Sequence, residues 1–139
     1  MLLKEIMTTD VEVVSPGDTL EEAARKMAEL DVGPLPVCEG DRVVGLLTDR
    51  DITVRATAAG CDPKTTLICD AMTQEIICCY EDQEVQEAAR LMRAEQIRRL
   101  PVLNRANELV GIVSLGDLAT AAGDQGQPGE VLKEVSEPT

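Results

Sequence analysis

The chain has 139 residues and a mass of 15.0 kDa, room for one compact unit or two very small ones sharing a core, and too little for a large multidomain enzyme. Its 13 Lys and Arg stand against 26 Asp and Glu, and the net charge of -13 repels a nucleic-acid backbone rather than neutralising it. Aromatic content is 1%, the lone Tyr80, and histidine is absent, so stacking platforms, the commonest general base and the commonest metal ligand are all missing.

In chain order, a short apolar run over 11–14 reads as a first strand. Leu20, Ala23, Ala24 and Met27 then recur at the i, i+3, i+4, i+7 spacing of one helix face, with Asp18 or Thr19 as cap and Glu21 or Glu22 completing a box. Pro36 ends helical propensity, and the runs 36–38 and 42–47 flank the turn-like Glu39-Gly40-Asp41, which predicts a hairpin. A second helix is expected over 49–59.

The same series then returns. Glu22-Ala23-Ala24-Arg25-Lys26-Met27 falls on Glu87-Ala88-Ala89-Arg90-Leu91-Met92 at a shift of 65 residues, Met7-Thr8 on Met72-Thr73, and Leu35-Pro36-Val37 on Leu100-Pro101-Val102. Val44-Gly45 meets Val110-Gly111 after one inserted residue. The second copy therefore predicts a strand over 76–80, a helix presenting Val85, Ala88, Ala89 and Met92, a hairpin turning at Arg105-Ala106-Asn107, and a helix over 115–122. The expected fold class is α+β, two tandem βαββα repeats packed as one pseudo-symmetric module because about 60 residues bury too little surface alone. The expected boundaries are a first repeat over 1–62, a connector over 63–70, a second repeat over 71–122 and a flexible tail over 123–139, with 60–70 as the hinge between the copies.

No apolar run approaches the ~20 residues of a membrane span, and Met1-Leu2-Leu3-Lys4-Glu5 turns polar too soon for a signal peptide; a cytoplasmic protein is expected. The five cysteines include no Cys-x-x-Cys pair. Cys38, Cys78 and Cys79 align with Leu103, Val13 and Val14, which makes them small buried hydrophobes rather than metal ligands, while Cys61 and Cys69 fall in the expected hinge region, 60–70.

These residues resemble a known family. Met-Thr opening each copy, Glu-Ala-Ala-Arg-x-Met in the first helix, Leu-Pro-Val in the hairpin, and Val-Gly-Leu-Leu-Thr-Asp-Arg-Asp or Val-Gly-Ile-Val-Ser-Leu-Gly-Asp closing it are similar to a tandem cystathionine-beta-synthase (CBS) domain pair, a free-standing Bateman module, over roughly 1–122. The resemblance implies an adenosine-containing ligand such as AMP, ADP, ATP, S-adenosylmethionine or NAD in clefts between the copies. It also implies a regulatory sensor rather than an enzyme, a flat homodimer, and an unidentified regulated protein partner.

The chemistry of the candidate site points the same way. Thr48-Asp49-Arg50-Asp51 and Ser114-Leu115-Gly116-Asp117 stand where a strand enters a helix, so a hydroxyl and backbone N–H groups converge at a positive helix end suited to phosphate. The carboxylates of Asp51 and Asp117 suit the two hydroxyls of a ribose. The plain alternative is an ordinary helix capping box that needs no ligand. At a net charge of -13 a phosphate needs local cations, for which Arg50, Arg55, Arg98 and Arg99 are the candidates. Resemblance places an Arg or His beside the second strand, a role Arg99 fills and Pro34 does not, so the two sites are expected to differ. Resemblance alone places the base near Val11 or Ile76. Tyr80 is expected to pack at a strand end. The rival reading is a ligand-free dimeric scaffold that keeps the fold.

Overall fold

The computed structural model describes residues 1–123. The expected tail lies outside the described residues, apart from Gly123 at its start. The elements are α1 (Leu20–Leu30), β1 (Pro34–Glu39), β2 (Arg42–Thr48), α2 (Asp49–Asp51), a π-helical stretch (Ile52–Thr57), β3 (Cys79–Tyr80), α3 (Val85–Glu95), β4 (Arg99–Leu103), β5 (Leu109–Ser114) and α4 (Leu115–Gly123). Single 3-10 turns at Leu3–Glu5 and Ile68–Asp70 lie ahead of each copy's Met-Thr.

The mixed α and β class is observed, as are both hairpins. β1 and β2 pair antiparallel with Pro34 opposite Thr48 and Leu35 opposite Leu47. β4 and β5 do the same with Arg99 opposite Ser114 and Leu100 opposite Val113. Each hairpin slips its register by one step near the turn, at Val37/Cys38 and Val102/Leu103. The turns use left-handed residues, Gly40 at φ 60° in the first and Asn107 at φ 64° in the second, residue types that tolerate this region.

The expected first strands are much shorter than the apolar runs suggested. Of 11–14 only Val14 joins a ladder, as a parallel bridge to Val37, and of 76–80 only Cys79–Tyr80 pairs, parallel to Val102 and Leu103. The helix expected over 49–59 is α-helical for three residues and then widens into the π-helical stretch. Four of those six residues are β-branched, which crowds a tight helical turn. On α1 the predicted face holds for Leu20, Ala23 and Met27, but Ala24 is exposed; its counterpart Ala89 is buried. Thr19 is the α1 cap, its hydroxyl accepting from Glu22 N–H at 3.3 Å, whereas Asp18 accepts from Ser15 N–H at 2.9 Å.

The described residues divide into two compact units: a continuous one, Glu12–Ile76, and a split one in which Met1–Val11 joins the described residues from Ile77 to Gly123. The chain thus crosses between units after Val11 and again after Ile76. Each unit has its own core. Leu20, Ala23, Met27, Leu35, Val37, Leu47, Ala56 and Ile68 pack in the continuous unit. Leu3, Val85, Ala88, Met92, Leu100, Val102, Val113 and Leu118 pack in the split unit.

The leading segment of each repeat is therefore exchanged. Leu3, fully buried, packs with the helices of the second repeat, and its counterpart Ile68, also fully buried, packs with α1 of the first. Backbone hydrogen bonds repeat the exchange: Leu3 N–H to Gln83 C=O (2.9 Å) is matched by Ile68 N–H to Asp18 C=O (2.8 Å). Thr8 exchanges bonds of 2.8 and 2.9 Å with Ile112, and Thr73 exchanges two of 2.9 Å with Leu46. These close approaches explain the two Val-Gly pairs. A Cβ on Gly45 would lie 2.7 Å from Met72 Sδ and 2.9 Å from Thr73 C=O, and one on Gly111 would lie 2.6 Å from Met7 Sδ and 2.9 Å from Thr8 C=O.

The stretch expected as a hinge is fastened into the continuous unit. Leu20 N–H donates to Thr66 C=O (3.0 Å), Glu21 N–H to Pro63 C=O (3.0 Å) and Cys69 N–H to Pro16 C=O (3.1 Å).

Candidate functional site

Each hairpin delivers its chain into a helix through the same junction. In the split unit Ser114 N–H donates to Asp117 Oδ2 at 2.9 Å and Asp117 N–H donates to Ser114 Oγ at 3.1 Å. In the continuous unit Thr48 N–H donates to Asp51 Oδ2 at 3.0 Å and Asp51 N–H donates to Thr48 Oγ1 at 3.1 Å. Both motifs are reciprocal capping boxes, so the plain alternative is realised in full. The cap consumes one carboxylate oxygen in each copy. What the second oxygen meets is where the copies differ.

Asp117 Oδ1 has no hydrogen-bond or ion-pair partner among the described residues, and four residues on stands Ala121. Asp51 Oδ1 lies 3.7 Å from Arg55 Nε. Arg55 also donates from Nη1 to the Met72 carbonyl at 3.5 Å. Arg55 is thus a carboxylate partner, a role its spacing four residues after Asp51 permits but the sequence reading passed over.

Of the other candidate cations, Arg99 faces Ser114 across the hairpin, the place taken by Pro34 opposite Thr48. Leu115 N–H donates to the Arg98 carbonyl at 2.8 Å, so both arginines border the strand-to-helix junction. Arg50, Arg98 and Arg99 are exposed and make no side-chain ion pair among the described residues. Three unpaired guanidiniums beside two helix starts offset locally the field of an acidic chain, because distant charges are screened beyond about 8 Å.

An open hollow of about 300 Å³ lies beside Asp117, lined with Met1, Ile6, Thr120 and Ala121. Ile6 and Thr120 were not singled out by the sequence; Ile6 immediately precedes the Met7-Thr8 signature, the only available pointer. A second hollow of about 240 Å³ is lined by Asp49, Arg50, Thr53 and Val54. Val11 and Ile76, the expected neighbours of a base, are half-buried at the ends of their segments, Val11 in the unit of Asp117 and Ile76 in the unit of Asp51.

Tyr80 packs as expected. Its hydroxyl donates to Asn107 Oδ1 at 3.0 Å, and the Arg105 guanidinium lies 4.3 Å from its ring centroid. Arg105 also forks onto Asp82, with Nε contacts of 2.9 and 3.1 Å, and this hydrogen bond holds the Asp82 carboxyl below its usual range. Cys38 and Cys79 are buried, Cys78 is half-buried, and Cys61 and Cys69 are exposed. Burial pushes the Cys79 thiol up to about 11, helped by Cys78 and Glu87, and it also raises Cys78. Cys38 is raised by burial and by Asp41. Raised thiols are poor metal ligands and nucleophiles. Among the described residues no three His, Cys, Asp or Glu side chains gather to hold a metal ion, and no helix is long and apolar enough to cross a membrane.

The CBS domain model matches twice, over 3–56 and 68–124. The chain is 42% identical over 134 residues to CBS domain-containing protein YhcV of Bacillus subtilis, spanning 96% of this chain and 94% of that one. Solved structures of the same architecture include Hypoxic Response Protein I with two coordinated zinc ions, at TM-score 0.78 and 38% identity over 87% of this chain and 98% of that one. Another is CBSX2 in complex with AMP, at TM-score 0.76 and 25% identity over 91% and 98%. A third is the CBS domain pair of MJ0100 in complex with 5'-methylthioadenosine and S-adenosyl-L-methionine, at TM-score 0.75 and 27% identity over 90% and 98%. With its paired capping junctions, its glycines under each Met-Thr segment and a double family match, the chain belongs to the CBS domain family as a tandem pair.

Proposed function

We propose that the chain is a regulatory module that binds an adenosine-containing ligand, AMP, ADP, ATP or a related adenosyl compound, and forms a homodimer that modulates a protein partner. Asp117 accepts from the ribose hydroxyls through Oδ1, while Arg99, with Arg98, meets the phosphate beside the Ser114 junction. Thr48, Arg50 and Asp51 form the equivalent, weaker site. The base lies near Val11 in the Asp117 site, or near Ile76 in the Asp51 site. The observation that carries this reading is Asp117 Oδ1, uncommitted among the described residues and half-buried beside an open hollow, in a unit whose two flanking arginines make no ion pair among the described residues. The AMP and S-adenosyl-L-methionine complexes of two similar CBS structures support the ligand class. Ligand binding then acts by shifting the population of conformations that the partner recognises.

A thermal-shift screen of AMP, ADP, ATP, NAD and S-adenosylmethionine tests it. At a hundred times its dissociation constant a ligand stabilises by about 2.7 kcal/mol, a shift well above the noise of the method. Asp117→Asn keeps an oxygen to cap Ser114 but replaces the free acceptor with a donor, and is expected to weaken binding about 10- to 100-fold, the worth of hydrogen bonds to a charged group. Flat melting curves with all five ligands overturn the reading.

The completed capping boxes favour one other reading, a ligand-free dimeric scaffold, because they account for Thr48, Asp51, Ser114 and Asp117 without a ligand. In that case Ser114→Ala costs about 0.5–2 kcal/mol of stability and no adenosyl compound moves the melting temperature.

A further inference from the structure

We propose that Arg55 is a built-in competitor at Asp51: a ribose reaches the continuous unit's carboxylate only by displacing this guanidinium, whereas Asp117 has no such competitor among the described residues. The inference rests on the ligand reading of the preceding subsection and adds the residue that makes the two sites unequal.

Asp51 Oδ2 is committed to Thr48 N–H at 3.0 Å, which leaves Oδ1 as the acceptor for the two hydroxyls of a ribose. Arg55 Nε stands 3.7 Å from that oxygen, and its Nη1 reaches the Met72 carbonyl at 3.5 Å. The guanidinium therefore bridges the carboxylate and the strand segment that packs on β2. Only 12% of the Asp51 side chain is exposed, against 54% of Arg55, so the arginine is the movable partner. In the other copy the cap is the same, but the residue four places after Asp117 is Ala121, which has neither charge nor donor. Displacing a half-exposed ion pair is a small penalty, about two- to fivefold in affinity, enough to order two otherwise similar sites without closing one.

A phosphate would be attracted by Arg55 and so confuse the sign; adenosine, which carries the diol and no charge, separates the two effects. Calorimetric titration of adenosine into Asp117→Asn reports on the Asp51 site alone. Adding Arg55→Gln to that variant is expected to tighten adenosine two- to fivefold, with Arg55→Ala giving the same direction. Unchanged or weakened binding in both overturns the proposal, the latter assigning Arg55 to the ligand instead. A ligand-free measurement stands beside it. The Arg55 Hε–Nε resonance is expected to move in Asp51→Asn and stay in place in Asp117→Asn; indifference to Asp51→Asn overturns the pairing itself. If the unmodified protein binds neither adenosine nor AMP, the ligand reading falls and this inference with it, and a resonance that still moves identifies the reading, not the ion pair, as the part that failed.

Discussion

The two strand-to-helix junctions share one backbone solution and differ in everything around it. Both close a reciprocal cap of nearly equal distances. In the continuous unit the first helical residue is Asp49, exposed and folded back beside Gly33, where an added Cβ would lie 3.2 Å from its carboxylate. In the split unit that place belongs to Leu115, which is buried in the core. The flanking position is Pro34 in one and Arg99 in the other, and the second carboxylate oxygen meets Arg55 in one and no partner among the described residues in the other. The lesson is that the cap is the part the architecture requires of both copies, while charge at its margin varies from copy to copy. The differences at the margin are where ligand preference has room to reside.

The largest effect that would probe this comparison lies in the shared framework. Leu3→Ala and Ile68→Ala each empty a fully buried position of an exchanged segment and should cost about 2–5 kcal/mol in urea denaturation, similarly in the two units. A loss at Leu3 far smaller than at Ile68 would show that the split unit does not depend on its leading segment. Next in size, Gly45→Ala and Gly111→Ala force a methyl against a methionine sulfur and a backbone carbonyl at under 3 Å, which should cost about 1–3 kcal/mol each. The methionine can swing away, whereas the Thr73 and Thr8 carbonyls are held in hydrogen bonds, so the penalty persists if the sulfur is shortened as well.

A smaller effect concerns a feature of the split unit alone. The Arg105 hydrogen bond lowers the Asp82 carboxyl below its ordinary 3.8, so the pair contributes stability above that pH and loses it as the pH falls through the lowered value. In Arg105→Gln the Asp82 resonance should titrate close to 3.8, and acid unfolding should begin at slightly higher pH. Titration of Asp82 at the same pH in both proteins would remove this distinction between the hairpins.

Much of the architecture was legible because it rests on local rules. The Ser/Thr-x-x-Asp caps, the helix faces and the hairpin turns each follow from a few neighbouring residues whose chemistry admits one local structure. Other features depend on what lies across space. Ala24 and Ala89 occupy matching positions in matching helices, yet Ala24 is exposed and Ala89 is buried in a core cluster. The apolar runs at 11–14 and 76–80 suggested full strands, but most of their residues find no ladder to join. The exchange of leading segments was hidden for a different reason: a repeat shows that two segments are alike, and likeness makes Leu3 and Ile68 interchangeable partners on paper. At the site, Thr48, Asp51, Ser114 and Asp117 could be named from spacing, and the pairing of Arg99 with Ser114 follows once hairpin register is known. Arg55 needed coordinates, since an exposed arginine on a helix has many possible neighbours.

The exchanged segments also bear on how such a chain is dissected. A fragment cut where the sequence similarity ends, between residues 62 and 63, would leave one piece holding a surplus Leu3 and lacking Ile68, and the other the reverse. Excision at the crossing points instead keeps Glu12–Ile76 together with all of its own core. The remainder becomes whole only when Met1–Val11 is fused or added back, so peptide complementation, rather than simple truncation, is the natural way to take this protein apart.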